Sequence, residues 1–403
     1  MRILQLAQFY PPVIGGEERH VRNLAVELAG RGHDVHVACL DVRGEAPVSD
    51  PGVTLHVLPN LGVRVPALYP TADRPLALPL PDPYVTRALS RVVADVDPDV
   101  VHAHNWIINS YLPLPAARRR PLVYSLHDYS HVCPTKRLMH LGQEPCSGPG
   151  LRKCFECTTD WYGAGRGPAI QAMVRTGRPV RNRVVDLFTP VSSYVGRANR
   201  LDEQDVPWQV VPNFVPDVLL TADPPRDPAL PEGDYLFFAG DLSEQKGVGT
   251  LLAAYDRLDP VTRPPLLLVG REAMDLSALP RGARAEEKWD HERVVSGFAH
   301  ARAAVLASQW PDPCPTTVLE AMALGAPLVT THMGGIADMV RDGDSALVVP
   351  PADVAATHAA LERLLGDPGL GPALAAAARV EVRRYLQSAV AAQLEGVYAS
   401  LRP

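Results

Sequence analysis

The sequence predicts an α/β protein of two Rossmann-like domains, each a doubly wound parallel sheet, with the cleft between them as the expected site. Three observations lead there. Short strands fall into two series separated by a proline-rich break. Most are apolar along nearly their whole length, as in sheets covered on both faces. The 403 residues are enough for two domains with full cores.

The first series reads "RILQLA", "DVHVACL", "VTLHVL", "DVVHAH", "PLVYSLHD" and "LFTPVS". The second reads "YLFFAG", "PLLLVG", "AAVLAS", "PLVTT" and "ALVVPP". Helical periodicity lies between strands, as in "EERHVRNLAVELAGRG" and "KGVGTLLAAYDRL". The stretch "DPPRDPALPEGD" at 223–234 reads as a linker or domain edge.

Composition narrows the class. The chain is 46% hydrophobic and 21% charged, an ordinary mixture for a soluble globular protein, and its formal charge of −6 offers no general attraction to nucleic acid. The apolar run after Met1 is too short for a signal peptide, and no run approaches the length of a membrane span. The expected compartment is the cytoplasm. Only four lysines occur, at 136, 153, 246 and 288, which makes each worth inspecting.

Residues just after strands should line the site. After the first strand, "FYPPVIGGEERH" places Gly15 and Gly16 at a helix start, where backbone N–H groups can approach a phosphate; a plain turn is the alternative. Three-glycine dinucleotide spacing is absent. In "FFAGDLSEQKGVGTLL", Lys246 sits near a helix start, where ammonium and helix dipole both suit a pyrophosphate; a solvated lysine is the bland reading. "VHAHNW" and "VYSLHDYS" bring His104, Asn105, His127 and Asp128 to strand ends, donors and acceptors suited to sugar hydroxyls. "DVDPD" at 95–99 precedes its strand and reads as a solvated loop. Residues 166–183 carry five arginines and no acid, a solvated helix face or a contact for a phosphate-bearing acceptor or peripheral membrane surface.

The segment "PDPCPTTVLEAMALGAP" at 311–327 sets Asp312 and Glu320 eight positions apart across a turn and a helix start. Capping is the ordinary explanation; binding the hydroxyls of a sugar and a ribose is the sharper one. Cys133, Cys146, Cys154 and Cys157 lie within 25 residues and end in a Cys-x-x-Cys pair, which is typical of structural zinc although the other spacings are not. Disulfides, an iron–sulfur cluster and free thiols are the alternatives. Cys39 and Cys314 stand apart from this set.

Taken together, "GGEERHVRNLAVELAGRGHDVHV", "VVPNFVPD" and "ASQWPDPCPTTVLEAMALGAPLVTTHMGGIADMVRDGDSALVVPP" resemble the retaining glycosyltransferases of family 4, which have the two-domain GT-B fold. The resemblance runs over nearly the whole chain. "RRYLQSAVAAQLEGVYASL" resembles the family's last helix, which crosses back to the first domain. It implies domains at 1–216, with a cysteine-rich loop at 129–165, and at 217–381, followed by a returning helix at 382–403.

The resemblance also implies roles. Asp312 would face the donor sugar and Glu320 the ribose, with backbone groups near Cys314, Pro315, Thr316 and Thr317 meeting sugar and phosphate. Gly16, His127, Lys246 and Asp312 would act at the reacting centre, with Gly15 beside them on the donor. His104, Asn105, His127 and Asp128 would face the acceptor. Two departures stand out. Asp312 replaces the family's usual glutamate, and Asp241 replaces an arginine that binds pyrophosphate, leaving Arg271 to supply the charge. The expected protein is a bacterial transferase using a nucleoside diphosphate sugar and an unidentified acceptor, with no cofactor required for catalysis. A sugar-nucleotide epimerase of the same fold and a non-catalytic sugar-nucleotide-binding protein are the rival readings.

Overall fold

The computed structural model describes residues 1–13, 15–42, 46–65 and 77–401. Ile14, inside the glycine turn, lies outside them. The chain divides into two units, residues 1–213 with 387–403, and residues 214–386. The proline-rich stretch at 223–234 therefore falls inside the second unit, where it leads into that unit's first strand.

The first unit contains β1 (Arg2–Ala7), α1 (Gly16–Gly30), β2 (Asp34–Leu40), β3 (Val53–Leu58), α2 (Leu61–Arg64), α3 (Pro83–Val96) and β4 (Val100–His104). It continues through α4 (Ile108–Tyr111), β5 (Leu122–Leu126), β6 (Met139–His140), β7 (Glu144–Pro145), α5 (Leu151–Tyr162), α6 (Gly167–Val184), β8 (Leu187–Pro190) and α7 (Ser193–Ala198). Its main sheet runs β3-β2-β1-β4-β5-β8, and every pair is parallel. Strands β1, β4 and β5 are buried along almost their whole length, the reason they read as continuous apolar runs.

Helix α1 forms because Val21, Leu24, Ala25 and Leu28 recur on one face, and all four are buried. Each fully buried leucine there contributes roughly 1.5–3 kcal/mol. Just past the helix, Gly32 takes a left-handed φ of 87° and its N–H bonds Ala29 O at 2.9 Å. Helix α3 begins where Asp82 accepts from the N–H groups of Tyr84 and Val85, with Pro83 in the first turn. It ends at Asp97 (φ 45°), so "DVDPD" is a helix terminus whose Asp97 pairs with Arg2 at 3.0 Å and with Arg120.

The second unit contains β9 (Leu236–Ala239), α8 (Val248–Asp256), β10 (Leu266–Val269), β11 (Ala283–Glu286), α9 (His291–Ala299), β12 (Ala303–Leu306), α10 (Thr316–Leu324), β13 (Leu328–Thr330), β14 (Leu347–Val348), α11 (Val354–Gly366) and α12 (Leu370–Glu381). Its sheet runs β11-β10-β9-β12-β13-β14, again all parallel. The edge strand β11, "ARAE", is absent from the sequence reading because it is half exposed and polar, without the apolar run that marks its neighbours.

The final helix, α13 (Gln387–Ser400), belongs to the first unit. It buries Val390, Ala391, Leu394, Val397 and Tyr398. A chain of hydrogen bonds anchors it: Tyr398 Oη meets His102 Nδ1 at 2.7 Å, His102 Nε2 meets Ser125 Oγ at 2.8 Å, and Ser125 Oγ meets Thr189 Oγ1 at 2.9 Å. The arginine-rich run at 166–183 is not wholly a solvated face. Arg181 is fully buried, held by Asn109 Oδ1 at 3.1 Å and by the ring and carbonyl of His131. Among the described residues no helix is long and apolar enough to cross a membrane.

Candidate active site

In the second unit, three strand ends gather the candidate donor residues. Gly240 follows β9 and Gly270 follows β10, and the two turns pack so closely that a Cβ on Gly270 would lie 1.7 Å from Gly240 O. The residues after them are thereby set side by side. Arg271 Nη2 lies 2.9 Å from Asp241 Oδ2, with Arg271 75% and Asp241 47% exposed at the side chain. The acid at the position expected of an arginine is thus paired with the arginine expected to replace it.

Lys246 is held by its backbone. Ser243 Oγ accepts from Lys246 N at 3.3 Å, and Gly247 follows in a left-handed conformation (φ 79°). A Cβ on Gly247 would fall 1.9 Å from Ala307 O, so this turn presses against the end of β12 and admits only glycine. The N–H groups of Gln309 and Trp310 both donate to Gln245 O, at 2.9 and 3.0 Å, sewing the 309–312 segment to the lysine turn. Lys246 Nζ then pairs with Asp312 Oδ2 and lies 4.9 Å from the centre of the Trp310 ring.

Asp312 is buried, and Gly335 N donates to its carbonyl at 2.7 Å. Gly334, with φ 64°, leaves room for that carbonyl, since a Cβ there would lie 2.2 Å from it. Cys314 is buried beside Pro315, the N-cap of α10. Pro315 supplies no side-chain cap, so the first N–H groups of the helix, around Thr316 and Thr317, are candidates to meet an anionic or hydroxyl-bearing ligand. Glu320, one turn in, is buried and its Oε1 meets His291 Nε2 at 2.9 Å. Capping therefore does not explain either carboxylate: each is engaged by a basic side chain from another element.

In the first unit, Gly15 is the N-cap of α1 and Gly16 its first residue. A Cβ on Gly15 would strike the Glu18 carboxylate at 2.0 Å, whereas the space beside Gly16 is open. The strand ends of β4 and β5 bring His104 and His127 together, with Nδ1 and Nε2 sharing a hydrogen bond of 2.9 Å. His127 Nδ1 lies 3.4 Å from Asn213 Oδ1. The His20 ring stands edge-on to both, at 4.8 Å from His127 and 6.0 Å from His104. Burial lowers the pKa of all three rings, helped at His20 and His104 by their imidazole neighbours, so the cluster is neutral.

Ring nitrogens of His20, His104 and His127 lie within 4.8 Å of one another, close enough to be considered for a metal. The His104–His127 hydrogen bond already occupies one nitrogen of each, and the cluster reads more simply as a neutral hydrogen-bonding surface.

Asn105, held at φ 58°, is the hub of a polar network. Its Nδ2 donates to Glu17 Oε2 at 2.8 Å, and its Oδ1 accepts from Lys136 Nζ at 2.7 Å. The ammonium of Lys136 also lies 4.3 Å from the Trp106 ring centre. Burial pushes the Glu17 carboxyl up to about 6, against the opposing pull of Asn105 and Lys136. Asp128 serves its own turn, its Oδ1 accepting from Ser130 N at 2.7 Å.

Sequence reasoning missed His20, Glu17 and Lys136 in this unit, and His291 and Trp310 in the other. Lysine scarcity was the available signal for Lys136. The rest needed their neighbours to be known.

Known proteins agree with this architecture. Residues 14–217 match the family described as "Glycosyltransferase Family 4", and residues 233–367 match "Glycosyl transferases group 1". The chain is 28% identical over 400 residues to a glycogen synthase of Mycobacterium tuberculosis, covering 94% of this chain and 89% of that one. It is 27% identical over 414 residues to a phosphatidyl-myo-inositol mannosyltransferase of Mycolicibacterium smegmatis, covering 100% and 94%. Among solved structures, sucrose-phosphate synthase from Thermosynechococcus elongatus superposes with a TM-score of 0.73 at 18% identity, covering 99% of this chain and 98% of that one. HepE of Anabaena in complex with UDP gives 0.71 at 17% identity, covering 99% and 100%. The fold is GT-B.

Proposed function

The chain belongs to glycosyltransferase family 4 and is a glycosyltransferase; from that premise we propose that it is a retaining enzyme that moves a sugar from a nucleoside diphosphate sugar to an acceptor hydroxyl. The observation that carries this reading is the second unit's arrangement of one cation and two buried carboxylates around an uncapped helix start: Lys246, Asp312 and Glu320 at α10. A diphosphate is matched by the ammonium and the helix N–H groups, and polyol hydroxyls by the carboxylates. The likeness to a structure that holds UDP adds support for a nucleotide donor.

In this reading Glu320 accepts from the ribose hydroxyls, and Asp312 from a sugar hydroxyl once Lys246 turns to the phosphates. The backbone around Cys314, Pro315, Thr316 and Thr317 supplies N–H donors, and Gly15 and Gly16 supply a second set at α1. Transfer breaks the bond between the anomeric carbon and the diphosphate oxygen. The acceptor oxygen bonds to that carbon on the same face, and its proton passes to the departing phosphate oxygen. Lys246 and the helix N–H groups stabilise the charge that develops on the diphosphate. His104, Asn105, His127 and Asp128 present neutral and charged groups to hydroxyls of the acceptor or sugar. No protein nucleophile or catalytic metal takes part.

Arg271 joins the phosphate charges by rotating away from Asp241, an inexpensive motion because an exposed pair contributes at most about 1 kcal/mol. The test is incubation with labelled sugar nucleotides and candidate acceptors. Nucleoside diphosphate should appear only when acceptor is present, in a glycoside with the donor's anomeric configuration. An inverted product would overturn the retaining assignment, and transfer from a donor without a nucleotide would overturn the donor assignment.

A further inference from the structure

The cysteine-rich segment plays no part in the proposed reaction, yet it is ordered by very little apolar burial. Helix α5 has twelve residues and buries only Cys157 and Thr158. Its larger apolar side chains, Leu151, Phe155 and Trp161, are exposed. A helix normally draws its stability from a packed apolar face, and this one lacks it. The preceding turns hold Lys136, Leu138 and Leu141 at φ values of 64°, 52° and 50°. Such left-handed non-glycine residues cost roughly 1–2 kcal/mol each, so the segment has a deficit that some other interaction must offset.

The sulfurs lie where those elements meet. Cys154 and Cys157 stand one turn apart on α5. Leu141 N, in the turn between β6 and β7, donates to Cys157 Sγ at 3.2 Å, and Gly150 N donates to Cys154 Sγ at 3.3 Å. Cys146 follows β7 directly, its N–H bonded to Leu138 O at 2.8 Å. Cys133 closes the preceding turn through Tyr129 O at 2.7 Å. Backbone N–H groups aimed at sulfur favour the thiolate, the form that binds metal. All four are free cysteines.

We propose that Cys133, Cys146, Cys154 and Cys157 bind one zinc ion as tetrahedral thiolates, stapling the turn after β5, the β6–β7 hairpin and helix α5 into one structural element. Four soft sulfur donors with no water-bearing position make a closed structural site. Binding displaces the thiol protons to solvent, so uptake is weaker at lower pH.

The experiment uses the full-length protein purified under reducing conditions without added metal. Elemental analysis should give about one zinc per chain. Cobalt exchanged into the site should show the intense absorption of a tetrahedral thiolate complex. The four thiols should resist modification until zinc is removed. The Cys154→Ser/Cys157→Ser variant should lose the metal and become more sensitive to proteolysis between residues 133 and 162. The wild-type measurements stand alone if that variant fails to fold. Metal-free protein that takes up no zinc while its four thiols titrate freely would overturn the proposal. So would two disulfides in this segment, or iron with acid-labile sulfide.

Discussion

Arg271 donates to Asp241 across 2.9 Å, two side chains set beside each other by the packed turns at Gly240 and Gly270. This pair accommodates an acid where the family resemblance implies a phosphate-binding arginine. Arg271→Ala should lower kcat/KM for the donor, whereas Asp241→Ala frees the guanidinium and should leave the rate equal or higher. Steady-state kinetics of the two variants decides the matter, and the opposite order would place the diphosphate elsewhere. Neither change should alter stability by more than about 1 kcal/mol, because both groups are well exposed.

Lys246→Ala should cut turnover by on the order of 10²–10³, the usual cost of losing a preorganised charge at a developing anion. It also leaves the buried Asp312 without its cation, so the thermal midpoint should fall as well. Lys246→Ala/Asp312→Asn should recover much of that midpoint without recovering turnover. Recovery of both together would mean that the lysine is only structural.

Glu320→Ala should weaken donor binding by roughly ten- to a hundredfold, the equivalent of about 1.5–3 kcal/mol for a charged hydrogen bond to ribose. His291→Ala should have a smaller effect, since it orients Glu320 and does not replace it. Calorimetric titration with the donor provides the comparison. Unchanged affinity in a folded Glu320→Ala protein would sink the ribose assignment.

The buried histidines make the first unit acid-sensitive. Burial holds His102 down to about 3, so in acid the unfolded chain, with a value near 6.5, binds a proton that the native state refuses. Stability contributed by the neutral ring is complete above pH 6.5 and is lost progressively as pH falls toward 3. His102→Gln should flatten this slope by about 1.4 kcal/mol per pH unit, one proton's share, as read from denaturant unfolding at several pH values. An unchanged slope would show that the ring is already charged when folded.

Glu17 works with the opposite sign. Its folded value of about 6 exceeds the ordinary 4.5, so the folded state holds a proton through that window. Ionisation above pH 6 then costs up to about 2 kcal/mol. Glu17→Gln, which keeps an acceptor for Asn105, should be more stable than the native chain at neutral pH and equal to it below pH 4.5. Unfolding curves at both pH values check this.

Much of this protein was legible in local sequence. Parallel strands covered on both faces must be apolar throughout, so β1, β4, β5, β9 and β10 declared themselves. The exposed edge strand β11 carries no such requirement and stayed silent. Lys246, Asp312 and Glu320 stood out as candidates because strand ends and helix starts are marked by glycine and proline, and the family resemblance implied their roles. Their partners did not. His291 reaches Glu320 from 29 positions away, and Lys136 reaches Asn105 from 31. Tyr398 meets His102 across 296. Period and propensity describe what a residue does for its own element, whereas pairing between elements depends on where the folded backbone brings two side chains within about 3 Å. The type of each candidate group was therefore written in the sequence, and its charge state, partner and orientation were decided only by tertiary packing.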